Sequence, residues 1–279
     1  MCGKYIYNMF RYNPDPRVAF DLFGMEIFWY GIIITLSIIV AFLLALYFMK
    51  KMGFREEIVF ELLLLLVPLA LVGARLWYVI VEDGSLANFF NFRDGGLAIY
   101  GAIVFGSIGL LIYTLAIRKC SFFAISDVVA IVLILAQSIG RWGNYFNQEL
   151  YGFEVGFHFF PITVMIGSTP HLALFFYESV LNLIGFVALF TLFMRPNRKY
   201  GTVTAVYFII YGVVRAILEP LRMPVYQMMI GPIPVSIVLS VLAVGVGILL
   251  LVLGKMGKLS QKDIALRPKQ DKEETKKKK

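Results

Sequence analysis

Residues 57–81 read EIVFELLLLLVPLALVGARLWYVIV. The run holds one basic residue, Arg75, and its two acidic residues, Glu57 and Glu61, both lie near its start. A helix needs about 20 apolar residues to cross about 30 Å of hydrocarbon, and this run is long enough. In lipid a chain must satisfy its own backbone polar groups, which a helix does. The run therefore predicts a membrane span. Six further apolar runs flank it, at residues 27–49, 97–117, 122–141, 173–194, 200–219 and 235–254. The expected fold is an all-α polytopic membrane protein with seven transmembrane helices. The first run is too long, and starts too far into the chain, for a cleaved signal peptide, so it reads as a retained span.

Composition agrees. Of 279 residues, 59% are hydrophobic and 16% charged, where soluble domains run at about 45–50% and about 25%. Mean hydropathy is +0.79. Two cysteines and two histidines exclude a disulfide framework and leave too few soft ligands for a zinc cluster. No metal and no cofactor is expected. The net charge of +8 reads as a topology signal, not as a nucleic-acid surface. With the C-terminus cytoplasmic, the inner loops carry Lys50, Lys51, Arg55, Arg118, Lys119, Arg195, Arg198 and Lys199. The outer segments carry only Lys4, Arg11, Arg17, Arg93 and Arg222. That asymmetry, with the basic tail, predicts an outside N-terminus and an inside C-terminus. Residues 1–26 then form an extracytoplasmic interfacial arm and residues 27–254 the seven-helix transmembrane domain. Residues 255–279 form a basic, disordered cytoplasmic tail near anionic headgroups.

Three arginines, Arg75, Arg141 and Arg215, fall inside spans, where each costs about 2.5–3.5 kcal/mol on insertion scales. At about 1.5 Å per residue all three lie about 22–28 Å from the cytoplasmic face, in one layer of the outer half of the membrane. Tyr30, Tyr100 and Glu178 enter that layer from outside, and Glu219 ends the sixth span there. Tyr211, Arg215 and Glu219 recur at i, i+4, i+8 and share a helix face; Gln137, Arg141 and Asn144 share another. An Arg215–Glu219 pair that only packs helices is the plain alternative. Three arginines in one layer instead want an anion, and a phospholipid phosphate matches guanidinium geometry. Glu61 and Asp127, near helix starts, suit the helix dipole. His158 and His171 read as loop residues, and Cys120 sits apart from the polar layer.

The strongest local signal runs Gly140-Arg141-Trp142-Gly143-Asn144-Tyr145-Phe146-Asn147-Gln148-Glu149-Leu150-Tyr151-Gly152. It resembles the signature of the prolipoprotein diacylglyceryl transferases, Gly-Arg-x-Gly-Asn-x-x-Asn-x-Glu-x-x-Gly, at every fixed position. Trp29-Tyr30-Gly31, Gly73-Ala74-Arg75, Asp94-Gly95-Gly96-Leu97, Tyr177-Glu178-Ser179 and Tyr211-Gly212 with Arg215 and Glu219 are similar to the family elsewhere. Two departures stand out. Tyr100-Gly101-Ala102 replaces a common His-Gly-Gly, whose histidine is a candidate base, and His171 is followed by Leu172-Ala173 where His-Pro-Thr is usual.

The resemblance implies transfer of the diacylglyceryl group of phosphatidylglycerol to the lipobox cysteine of a prolipoprotein signal peptide. The setting would be the bacterial cytoplasmic membrane. It implies Arg141, Arg215, Glu219 and Tyr100 as catalytic residues. Tyr30, Arg75, Asn144, Asn147, Glu149, Gly152 and Tyr211 would bind substrate. A membrane transporter or scramblase also needs intramembrane polar groups, but the polar layer reaches only one face. An alcohol phosphatidyltransferase would need an aspartate-rich metal site, and the spans offer little beyond Asp127.

Overall fold

A computed structural model describes residues 15–83, 89–90, 96–259 and 261. Among them, seven helices are long and apolar enough to cross a membrane: α1 (Trp29–Lys51), α2 (Glu57–Tyr78), α3 (Ile99–Ile112), α4 (Phe122–Asn147), α5 (Leu174–Met194), α6 (Thr202–Leu218) and α7 (Val235–Lys255). The chain is a multi-pass membrane protein. Large apolar side chains such as Leu64 and Val241 lie exposed along the helices, as a lipid-facing surface requires.

The helix ends refine the expected spans. α2 and α3 finish in single π-helical turns, Val79–Asp83 and Tyr113–Ile117, so the apolar runs ending at 81 and 117 are helical in two modes. α4 runs on to Asn147, six residues past the expected end, so most of the signature is helix. Three antiparallel hairpins interrupt the all-helical expectation: β1 (Val18–Leu22) with β2 (Met25–Phe28), β3 (Thr163–Ile166) with β4 (Thr169–Leu172), and β5 (Met229–Ile230) with β6 (Ile233–Pro234). They lie before α1 and in the connections after α4 and α6, in segments too short to give a periodic signal. The first 14 residues of the expected arm, the Asp94-Gly95 step and the tail beyond residue 261 lie outside the described residues.

The chain divides into two compact units, residues 1–43 with 129–258, and residues 44–128 with 259–279. In the second unit α2 packs on α3 at a close approach. A Cβ at Gly73 would stand 2.6 Å from the Gly101 carbonyl oxygen, so both positions must lack one. Glu61 of α2 ties down the end of α3 by accepting from Tyr113 and Arg118. That partnership, beyond a helix dipole, explains an acidic residue inside the run. Arg75 is buried and donates to the carbonyls of Phe89 (2.9 Å) and Gly96 (2.9 Å). It thus holds the loop that leads into α3.

In the first unit α4, the most buried of the seven helices, packs on α5 through polar contacts. Ser138 donates to the Ser179 carbonyl at 2.7 Å, and the Trp142 indole donates to the Ser179 hydroxyl at 3.1 Å. α6 and α7 approach closely where a Cβ at Gly212 would stand 2.7 Å from the Ser240 carbonyl oxygen.

Candidate active site

The first unit gathers five charged side chains from α4, α5, α6 and the turn after α6. Glu178 is central and 2% exposed. Arg141 Nη2 lies 2.6 Å from its Oε1, and Arg215 Nη1 3.3 Å from its Oε2. Arg215 Nη2 also donates to Glu219 Oε2 at 2.8 Å, the i, i+4 pair expected along α6. Arg222 comes within 4.0 Å of Glu178 and 3.6 Å of Glu219. Three guanidinium groups thus share two carboxylates, which leaves one positive charge in excess. Burial, with Arg215 nearby, pushes the Arg222 guanidinium below its ordinary value.

The signature presents its polar groups from the last turn of α4. Asn144 accepts from Arg141 at 3.4 Å and donates to Glu149 Oε1 at 2.9 Å. Asn147 donates to the same oxygen at 3.1 Å. The helix closes with the Glu149 amide donating to the Asn144 carbonyl at 3.1 Å. Gln148 and Leu150, on either side of Glu149, both take left-handed backbone, φ 51° and 57°. Tyr30 lies against the glycine face of α4: a Cβ at Gly143 would stand 2.6 Å from its ring.

Past α4 the chain makes isolated bridges, Glu154 to His171 of β4 and Gly152 to Arg222 after α6. Gly152 donates to the Leu172 carbonyl at 2.9 Å, and Phe153 donates to the Leu221 carbonyl at 3.2 Å. His171 is buried, with Nδ1 3.0 Å from the Gly152 carbonyl and Nε2 3.0 Å from the Thr169 hydroxyl. The loop expectation fails for it: His171 is an interior residue of β4, paired with Val164 of β3. An open cavity of about 430 Å3 is lined by Pro16, Tyr145, Phe146, Gln148, His158, Phe160, Val164 and Met165.

The structure therefore brings together Arg141, Arg215 and Glu219, and links Asn144, Asn147 and Glu149 to them through Arg141. Tyr30 packs on α4 of the same unit. Tyr211 stacks on Tyr207 at 5.8 Å, and the Tyr207 hydroxyl accepts from Gln137 at 3.1 Å. Arg75 and Tyr100 belong to the other unit, where the Tyr100 ring lies 6.4 Å from that of Trp77.

Two participants escape sequence reasoning. Glu178 reads as one polar residue among several in the layer, and its clamp on two arginines needs α4 and α6 on either side of it. Arg222 reads as a loop charge, although its i+3 spacing from Glu219 is a usable signal. Among the described residues no group of histidine, cysteine, aspartate and glutamate side chains could hold a metal ion.

The family model for "Prolipoprotein diacylglyceryl transferase" matches residues 17–253. The chain belongs to the prolipoprotein diacylglyceryl transferase family. The matched region takes in every site residue named above. The chain is similar to the phosphatidylglycerol–prolipoprotein diacylglyceryl transferase of Clostridioides difficile (strain 630), 36% identical over 238 residues, 84% of this chain and 93% of that protein. The transferase of the same name from Finegoldia magna is 35% identical over 239 residues, 84% and 94% of the two chains. That of Clostridium botulinum (strain Langeland) is 38% identical over 244 residues, 83% and 93%. These family members match along nearly their whole length, so the likeness covers both compact units.

Proposed function

We propose that this chain transfers the diacylglyceryl group of phosphatidylglycerol to the cysteine thiol of a prolipoprotein. The relatives' names supply donor and acceptor. The observation that carries the reading at this site is the excess positive charge around Glu178. A phospholipid phosphate has the charge and the fork-matching geometry to fill it.

The thiolate sulfur attacks the glyceryl carbon that bears the phosphate. A carbon–sulfur bond forms, the carbon–oxygen bond breaks, and glycerol phosphate departs with an added negative charge. Arg141 and Arg215, with Arg222 behind them, meet that charge as it develops. Cations fixed by Glu178 and Glu219 need little reorganisation to do so. Tyr30, Asn144, Asn147, Gly152 and Tyr211 shape the headgroup site. The acceptor is the lipobox cysteine at the end of a signal peptide. The setting is the bacterial cytoplasmic membrane, with the site in its outer half. Transport or scrambling is not favoured, since the named relatives are transferases.

The test is reconstituted transfer, with phosphatidylglycerol vesicles and a cysteine acceptor peptide read by mass spectrometry. A diacylglyceryl mass gain is expected with the cysteine peptide and not with its serine analogue. Arg141→Ala and Arg215→Ala should each lose at least about a hundredfold while still inserting and folding. Normal turnover in either variant overturns the arginine roles, and no transfer by folded wild-type protein overturns the function.

A further inference from the structure

We infer that Glu149 is the general base that takes the proton of the acceptor thiol. The inference rests on the transfer reading above and adds a group that the arginine cluster does not supply.

The two carboxylates nearest the arginines are already committed. Glu178 and Glu219 each face two or more guanidinium groups, so their oxygens are taken up by ion pairs. Glu149 differs. Among the described residues no arginine or lysine pairs with it. Asn144 and Asn147 both donate to one oxygen, Oε1. No hydrogen bond from the described residues is made to Oε2. One side of the carboxylate is thus fixed in place and the other is left to accept a proton.

The backbone is bent to present it. Gln148 and Leu150 both hold left-handed φ values without being glycine, a costly conformation that clusters at functional sites. Beside Glu149 a gap of about 10 Å3, walled by Asn144, Tyr145, Tyr151, Val164 and Phe175 among others, has room for a group near the size of one water. His171 does not compete. Both ring nitrogens of His171 are engaged, and His158 Nδ1 lies 3.3 Å from the Thr163 hydroxyl.

The position also suits the chemistry. Asn144 joins Glu149 to Arg141 through one amide. The carbon under attack is bonded to the phosphate held by that arginine. The thiol must therefore come close to both, within reach of the carboxylate. An unperturbed thiol near pKa 8.5 is about four units above a glutamate. The net positive cluster favours the thiolate. The proton passes from sulfur to Glu149 Oε2. The thiolate displaces the phosphate. The departing glycerol phosphate, now a monoester, takes the proton back from Glu149, so the carboxylate is regenerated and charge balances.

A selenocysteine acceptor separates a base from a structural residue, because a selenol is already ionised at neutral pH. The full chain in phosphatidylglycerol vesicles is given cysteine and selenocysteine versions of one acceptor peptide. Glu149→Gln should lose about a hundredfold or more with cysteine at pH 7 and recover to within about tenfold of wild type with selenocysteine. Arg215→Ala should stay defective with both. Equal losses of Glu149→Gln on both peptides, or none with cysteine, overturn the assignment. A loss in Tyr100→Phe that selenium rescues, with none rescued in Glu149→Gln, makes the phenol the base and overturns the assignment too. No transfer by wild type to either peptide overturns the function itself.

Discussion

Glu178 sets the charge balance of the site. A single buried carboxylate holds guanidinium groups from two different helices and lies near a third, so it orders the cations that would receive a phosphate. Removing one partner of a buried pair costs about 3–5 kcal/mol because the other charge is left stranded. Glu178→Gln keeps the size and removes the charge. It should lower stability by an amount of that order, read as a loss of thermal stability in detergent. Saturating phosphatidylglycerol should restore part of that loss, because the lipid phosphate supplies the missing anion. A variant as stable as wild type, or one that lipid does not rescue, would show that Glu178 does not carry the balance.

At the scale of elements, the signature joins a helix end to isolated β-bridges. Arg222 is carried by a segment paired with Gly152, and Gly152 is held in turn by β4. A Cβ at Gly152 would stand 2.7 Å from the Leu221 carbonyl oxygen and 2.8 Å from the Leu172 Cβ. Neither neighbour is the free end of a flexible side chain. Gly152→Ala should therefore push the Arg222 segment away and cut transfer at least about tenfold, while the helices stay packed. Wild-type transfer by this variant, with the substitution verified, would remove the bridges from the mechanism. The helices behind this arrangement were legible in the sequence, because a 20-residue apolar run has few other uses. The Arg215–Glu219 pair was legible too, since both ends lie on one helix face. The hairpins were not, because strands of two to five residues leave no periodic pattern long enough to detect. The extension of α4 to Asn147 was hidden by its polar last turn, which reads as a chain leaving the membrane. Contacts made across helices, such as Glu178 to Arg141, depend on packing that no local spacing encodes.

At the scale of the whole molecule, the chemistry requires that the site face the side on which the acceptor cysteine arrives. The basic loops predict that the connections after α1, α3 and α5 are cytoplasmic and that those after α4 and α6 are not. Single cysteines can test this in a background lacking Cys2 and Cys120. Phe157 and Val225 are exposed and lie after α4 and α6. Lys51 and Arg195 are exposed at the ends of α1 and α5. On intact cells a membrane-impermeant maleimide should label Phe157→Cys and Val225→Cys. It should reach Lys51→Cys and Arg195→Cys only after permeabilisation. That pattern puts the end of α4, with Arg141 and Glu149, toward the outer leaflet, so a signal peptide must first carry its cysteine across before the thiol meets the lipid. The reverse pattern would turn the site toward the cytoplasm, make transfer precede translocation, and remove the positive-inside argument for this chain.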